Sequence, residues 1–63
     1  MTYEKAIFNA MKQQIVNEHD IIETFDVSAA LARKLLKSTI KKYHHHGIIN
    51  IKDESMSIGY RVN

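Results

Sequence analysis

Between Asp26 and Gly47 the chain reads DVSAALARKLLKSTIKKYHHHG, and this stretch constrains the fold more than any other. Leu31, Ala32, Leu35, Leu36, Thr39, Ile40 and Tyr43 recur by threes and fours, so a helix over them carries one apolar stripe. Ser28 stands where its hydroxyl can accept from an unpaired first-turn amide, and Val27 before it belongs to a turn. Gly47 readily takes the left-handed conformation that ends a helix. The spacing therefore predicts a helix from Ser28 to His46. Arg33, Lys34, Lys37 and Lys41 fall on its other side and Lys42 at the border; the segment holds five Lys/Arg and no Asp/Glu.

The rest of the chain is balanced differently. Met1–Val27 carries Lys5 and Lys12 against Glu4, Glu18, Asp20, Glu23 and Asp26, and Gly47–Asn63 has two charges of each sign. The overall charge of +2 is thus a +5 helix set on a −3 N-terminal segment. A single basic face on a neutral or acidic body is the footprint of a polyanion binder. Ordinary solvated lysines would look similar; the absence of any acid along the helix favours the binder.

Sixty-three residues allow one small domain, expected over 1–63, and chains of this size often gain stability by self-association. Without cysteine there is neither a disulfide framework nor a thiolate metal site. No apolar run approaches the roughly 18–20 residues that cross a bilayer, and no segment reads as a secretory leader. A soluble cytoplasmic protein with no membrane partner is expected.

Upstream, Thr2 is placed to cap a helix over Tyr3–Gln13, whose stripe is Tyr3, Ala6, Ile7, Ala10 and Met11, widened by Phe8. Ile15-Val16 reads as an edge strand or a buried connector. Asn17 caps a second helix ending near Phe25, with Glu18 and Asp20 at its positive end and Ile21, Ile22 and Phe25 on its buried side. After Gly47 the period changes to two. Ile49 and Ile51, then Met56, Ile58, Tyr60 and Val62, alternate with polar or small residues, which predicts a hairpin with one apolar face.

Helix, β-branched connector, helix, turn, basic helix, glycine and hairpin follow in the order of the winged helix-turn-helix family, which the whole chain resembles. The sharper part is NEHDIIETFDVSAALARKLLKSTIKKYHHHGIINI. Ile21 and Ile22 match the packed first helix of the motif, and Val27-Ser28 its turn. Ala32, Leu35 and Leu36 match the packed face of the recognition helix, and Gly47-Ile48-Ile49 the exit into the wing. The helix to Gly47 is about a turn longer than is usual in the family, so its end is expected to protrude or kink. The wing tip would be Lys52-Asp53-Glu54-Ser55, which is partly acidic. The resemblance implies an α+β, mostly α fold of three helices and a C-terminal β-hairpin.

It also implies a sequence-specific double-stranded DNA-binding protein of the small phage or plasmid regulator type. An inserted recognition helix would bring Ser28, Ala29, Ala30, Arg33, Lys34 and Lys37 to the groove. Arg33 is the candidate for bidentate contact with guanine, and the two alanines for thymine methyls. Lys41 and Lys42 would meet phosphates. A homodimer reading a repeated site is expected, with Tyr3, Ile7, Phe8 and Met11 as its contact. Two alternatives stand beside this reading: a winged-helix module whose basic helix packs on an acidic protein partner, and a recombination or excision accessory factor.

Other chemistry has little support. Adjacent helical residues point about 100° apart, so His44, His45 and His46 do not all converge on one metal unless the helix has ended; a cap at its negative end or a phosphate contact is expected instead. His19 is expected to be exposed. There is no Gly-rich phosphate loop, no thiol and no Ser-His-acid order, so no catalytic residues, metal or cofactor are expected.

Overall fold

The computed structural model of this chain describes residues 2–52 and 57–63. Three helices come first: α1 (Tyr3–Met11), α2 (Glu18–Phe25) and α3 (Ala29–Lys42). A 3-10 turn over His44–His46 leads into β1 (Ile48–Lys52), which pairs antiparallel with β2 (Ile58–Val62). This is the expected α+β layout of three helices and a hairpin, the winged-helix arrangement. No helix among the described residues is long and apolar enough to cross a membrane.

Each helix starts at the residue the sequence marks. Thr2 Oγ1 accepts from Lys5 N at 3.2 Å, and Ser28 Oγ from Leu31 N at 3.1 Å. Asn17 and Asp20 form a reciprocal capping box: Asn17 Oδ1 accepts from Asp20 N, and Asp20 Oδ2 from Asn17 N, both at 2.9 Å. Between α2 and α3 the chain turns through Asp26 in the left-handed region (φ 53°), a conformation Asp adopts more readily than most residues.

The three helices and the start of the sheet close over one core of Ile7, Met11, Val16, Ile21, Ala32, Leu35 and Leu36. Thr39 is fully buried beside them, and its hydroxyl donates to the Leu35 carbonyl at 2.7 Å, which satisfies the one polar atom the stripe carries inward. Val16 settles the connector. It exchanges two 2.8 Å backbone bonds with Tyr60 and so adds a one-residue third strand beside β2.

Several expectations are corrected. Helix α1 ends at Met11, not Gln13: the amides of Gln13 and Gln14 both point at the Ala10 carbonyl, turning the chain so that Val16 reaches the sheet. Helix α3 ends at Lys42, not His46, because Tyr43 leaves helical geometry (φ −111°, ψ 23°) and the histidines form a 3-10 turn. Gly47 closes that turn with φ 75°. Leu31, placed on the buried stripe by its spacing, is 39% exposed, because the first turn of α3 extends past the residues that cover the stripe further along.

The hairpin also differs. Ile48 lies opposite Val62 and Asn50 opposite Tyr60, and opposed residues share a face. Ile48, Tyr60 and Val62 pack on the core, whereas Ile49 (opposite Arg61) and Ile51 (opposite Gly59) point to the other side. The inward face of β1 therefore begins at Ile48 rather than Ile49. Ile58, opposite Lys52, is exposed and lines an open depression beside the start of α2 with Asn17, Glu18 and His19. Ile15 covers Gly59 on the outer face, and a Cβ at Gly59 would collide with its Cγ2. Met56 and the expected wing tip beyond Lys52 lie outside the described residues.

Three of the four residues expected to form a dimer contact, Ile7, Phe8 and Met11, are buried within the chain and are not available to a partner; Tyr3 is 47% exposed and sits edge-on to Phe25 at 5.2 Å.

Candidate nucleic-acid interface

Helix α3 packs on both α1 and α2 through Ala32, Leu35, Leu36 and Thr39. At 3.6 residues per turn, Ala30, Lys34, Lys37 and Lys41 then form a row on the opposite side. All four are exposed. Core burial of one stripe thus dictates which cations face outward. Ser28, Ala29 and Arg33 are exposed beside the row, and Lys42 projects on the flank towards α1.

Over the first turns of α3 the surface dips into an open depression of about 480 Å³, lined by Ser28, Ala30, Leu31, Arg33, Lys34 and Lys37. Five of these are residues the sequence assigns to the groove. The sixth, Leu31, is an addition. Its spacing to Leu35 disguised it as a core residue, and only its place in the uncovered first turn could have flagged it. The small side chain of Ala30 leaves space between the taller walls, so the depression offers apolar carbon below and three cations around it.

The eight expected contact residues are not equivalent. Lys34, Lys37 and Lys41 form no ion pair among the described residues and are available to an anion. Arg33 forms an exposed ion pair with Glu18 at the start of α2, with Nε 3.5 Å from Oε1, longer than a hydrogen bond. Lys42 turns away from the row: its Nζ lies 5.7 Å from the centre of the Tyr43 ring, and its charge helps to lower the pKa of Glu4. Ser28 already spends its hydroxyl oxygen on the Leu31 amide, although its O–H remains a donor.

The far end of α3 is fixed by an aromatic cluster. Tyr43 stacks on Phe8 with centroids 4.1 Å apart and planes 5° from parallel, and His46 meets both rings edge-on. Lys12 covers Phe8, its Nζ 5.0 Å from the ring centre. His44 Nδ1 donates to the Lys41 carbonyl at 2.8 Å, so this ring caps the helix end as expected. The three imidazoles thus do different work: His44 caps, His46 packs and His45 leans on His44. Among the described residues no group of three or more His, Asp or Glu side chains is placed to hold a metal ion. His19 lies exposed beside Glu23, Nε2 to Oε1 2.9 Å.

Near the middle of α3 the Ser38 hydroxyl donates to Glu4 Oε2 at 3.0 Å, tying the helix to the start of α1. The Glu4 carboxyl is held below its usual pKa, first by a bond to its own backbone N–H and next by Ser38. A smaller apolar depression of about 250 Å³ lies between α1 and α2, lined in part by Ala6, Ala10, Ile21 and Phe25. Its one carboxylate, Asp20, is occupied by the capping box.

No protein-family model, curated protein or solved structure matches this chain.

Proposed function

We propose that the chain is a winged helix-turn-helix protein that binds double-stranded DNA sequence-specifically, as a small transcriptional regulator of the phage or plasmid type. The observation that carries this reading is the face of α3: Lys34, Lys37 and Lys41 point outward from a helix without acids, next to Arg33 and an open depression. A recognition helix enters the major groove with its N-terminal turns against base edges. In that pose Ala30 and Leu31 offer carbon to thymine methyls, Arg33 offers its fork to guanine, and Lys41 lies nearer the backbone. Lys42 is a flank residue with at most a phosphate to meet.

The exposed Leu31 beside Ala29 and Ala30 also suits a second reading, a protein–protein module with an acidic, partly apolar partner. Salt separates the two. Lysines that displace counterions from a duplex give a steep dependence, and log K against log salt on a random duplex is expected to fall with a slope of about −3 to −5 per protomer. A flat response, or no binding at low salt, would transfer the face to the protein partner.

A further inference from the structure

Glu18 is an acid at the edge of a surface otherwise suited to an anion, and although it suits the positive end of its own helix, that helix does not need it as a cap. The start of α2 is already satisfied by Asn17 and Asp20, which close the capping box between them. Glu18 is the first residue of that helix, and its carboxylate lies across the turn from Arg33, 3.5 Å from Nε. Both side chains are well exposed, 42% for Glu18 and 58% for Arg33. A pair so open to solvent adds little to folding stability. Its consequence lies in where the guanidinium points.

We propose that Glu18 is a positioning residue for DNA sequence discrimination: its carboxylate on the Nε side of Arg33 biases the guanidinium so that the two terminal nitrogens face guanine, and it opposes use of Arg33 as a phosphate anchor. The inference rests on the DNA-binding reading of α3. A guanidinium has five N–H donors in a rigid planar fork. A carboxylate on the Nε side leaves both terminal nitrogens for a bidentate contact, the arrangement guanine O6 and N7 require. An unrestrained arginine would also reach phosphates, which gives affinity without sequence information. With a carboxylate beside it the Arg33 charge is partly offset, and Glu18 itself is repelled by the backbone. Random DNA gains little from Arg33 in this state, whereas a guanine in register still meets the oriented fork. The discrimination is therefore built from both sides, by support of the right contact and by a penalty on the wrong one.

The test uses the intact protein, a duplex enriched by the wild type from a random-sequence pool, and a random duplex of equal length. Glu18→Gln removes the charge and keeps the shape. It is expected to tighten binding to the random duplex about two- to fivefold without tightening the selected one. The ratio of the two affinities should fall by the same factor, about two- to fivefold. In an Arg33→Ala background the same substitution should leave the ratio unchanged, since there is no fork left to orient. Circular dichroism of each variant establishes that α2 and α3 remain folded. Equal tightening on both duplexes when Arg33 is intact, or a lowered ratio that persists in the Arg33→Ala background, would reduce Glu18 to a repulsive surface charge and overturn the proposal. Should the wild type enrich no sequence at all, the DNA reading falls with it; enrichment with an unchanged ratio in Glu18→Gln sinks the Glu18 role alone.

Discussion

The two ends of α3 are held in opposite ways. At the C-terminal end the chain is gripped: Tyr43 is stacked on Phe8, His46 closes the cluster and His44 caps the Lys41 carbonyl. At the N-terminal end Ala29, Ala30, Leu31, Arg33 and Lys34 are all exposed, and Ala32 is the first residue to enter the core. One helix is thus anchored at its far end and offered at its near end. The difference shows how a chain of this size can present a rigid reading surface. Core packing begins within the first turn at Ala32 and continues at Leu35 and Leu36, all on the side away from the surface.

The comparison breaks most sharply if the anchor is removed. Phe8→Ala deletes the ring that Tyr43, His46 and Lys12 all touch, and is expected to cost about 3–4 kcal/mol by urea denaturation. In so small a domain that is a large share of the stability, so a fully folded Phe8→Ala protein with an unchanged midpoint would mean that the cluster is not an anchor. Gly47→Ala acts at the same end with a smaller effect. The left-handed backbone at φ 75° costs a residue with a Cβ about 1–2 kcal/mol, although no neighbouring atom obstructs the added carbon. A loss well beyond that range would point to a rearranged hairpin, visible as altered amide shifts in β1 and β2.

The offered end should behave the other way. Lys37→Ala touches nothing that holds the fold, and its unfolding free energy should stay within about 0.5 kcal/mol of wild type. Ala is the better helix former, so even a small gain is consistent. A loss above 1 kcal/mol would show that the outward row has a structural duty.

The smallest effect concerns the link between α1 and the middle of α3. Because the folded pKa of Glu4 is depressed, its contribution to stability is present above the unfolded value of about 4.3 and is lost as pH falls through the folded value. Glu4→Gln should therefore flatten a shallow acid limb below about pH 4.3 and leave stability near neutral pH almost unchanged. Two-dimensional NMR titration of the carboxyl carbons reads this directly; a Glu4 midpoint at the ordinary value would remove the Ser38 link from the account.

What was legible in the sequence follows the same division. The three helix starts could be read because Thr2, Asn17 and Ser28 act on amides within one turn of themselves, a local chemistry that needs no tertiary information. The layout could be read because the change of apolar period at Gly47 is abrupt. The facing of β1 could not, since Ile48, Ile49 and Ile51 occupy both parities and only the exit angle at Gly47 decides which turns inward. The end of α3 escaped for a related reason. Nothing before Gly47 breaks a helix locally, and the helix ends where Tyr43 stacks on the Phe8 ring, a contact distant in sequence. Leu31 has core spacing without core neighbours. Glu18 and Arg33 meet across the turn between two helices, a contact that periodicity within either helix does not encode.

The most direct test of the central claim, that the near end of α3 reads base edges while its later cations meet phosphates, is a paired measurement on two residues of that helix. Affinities of Arg33→Ala and Lys41→Ala are compared on a selected duplex and on a random one, each across a salt series. Arg33→Ala is expected to lose roughly 1–3 kcal/mol on the selected duplex and much less on the random one. Lys41→Ala is expected to weaken both about equally and to make the salt slope shallower by about one unit. Equal proportional losses on both duplexes for the two variants would contradict the account and leave Arg33 as another phosphate contact.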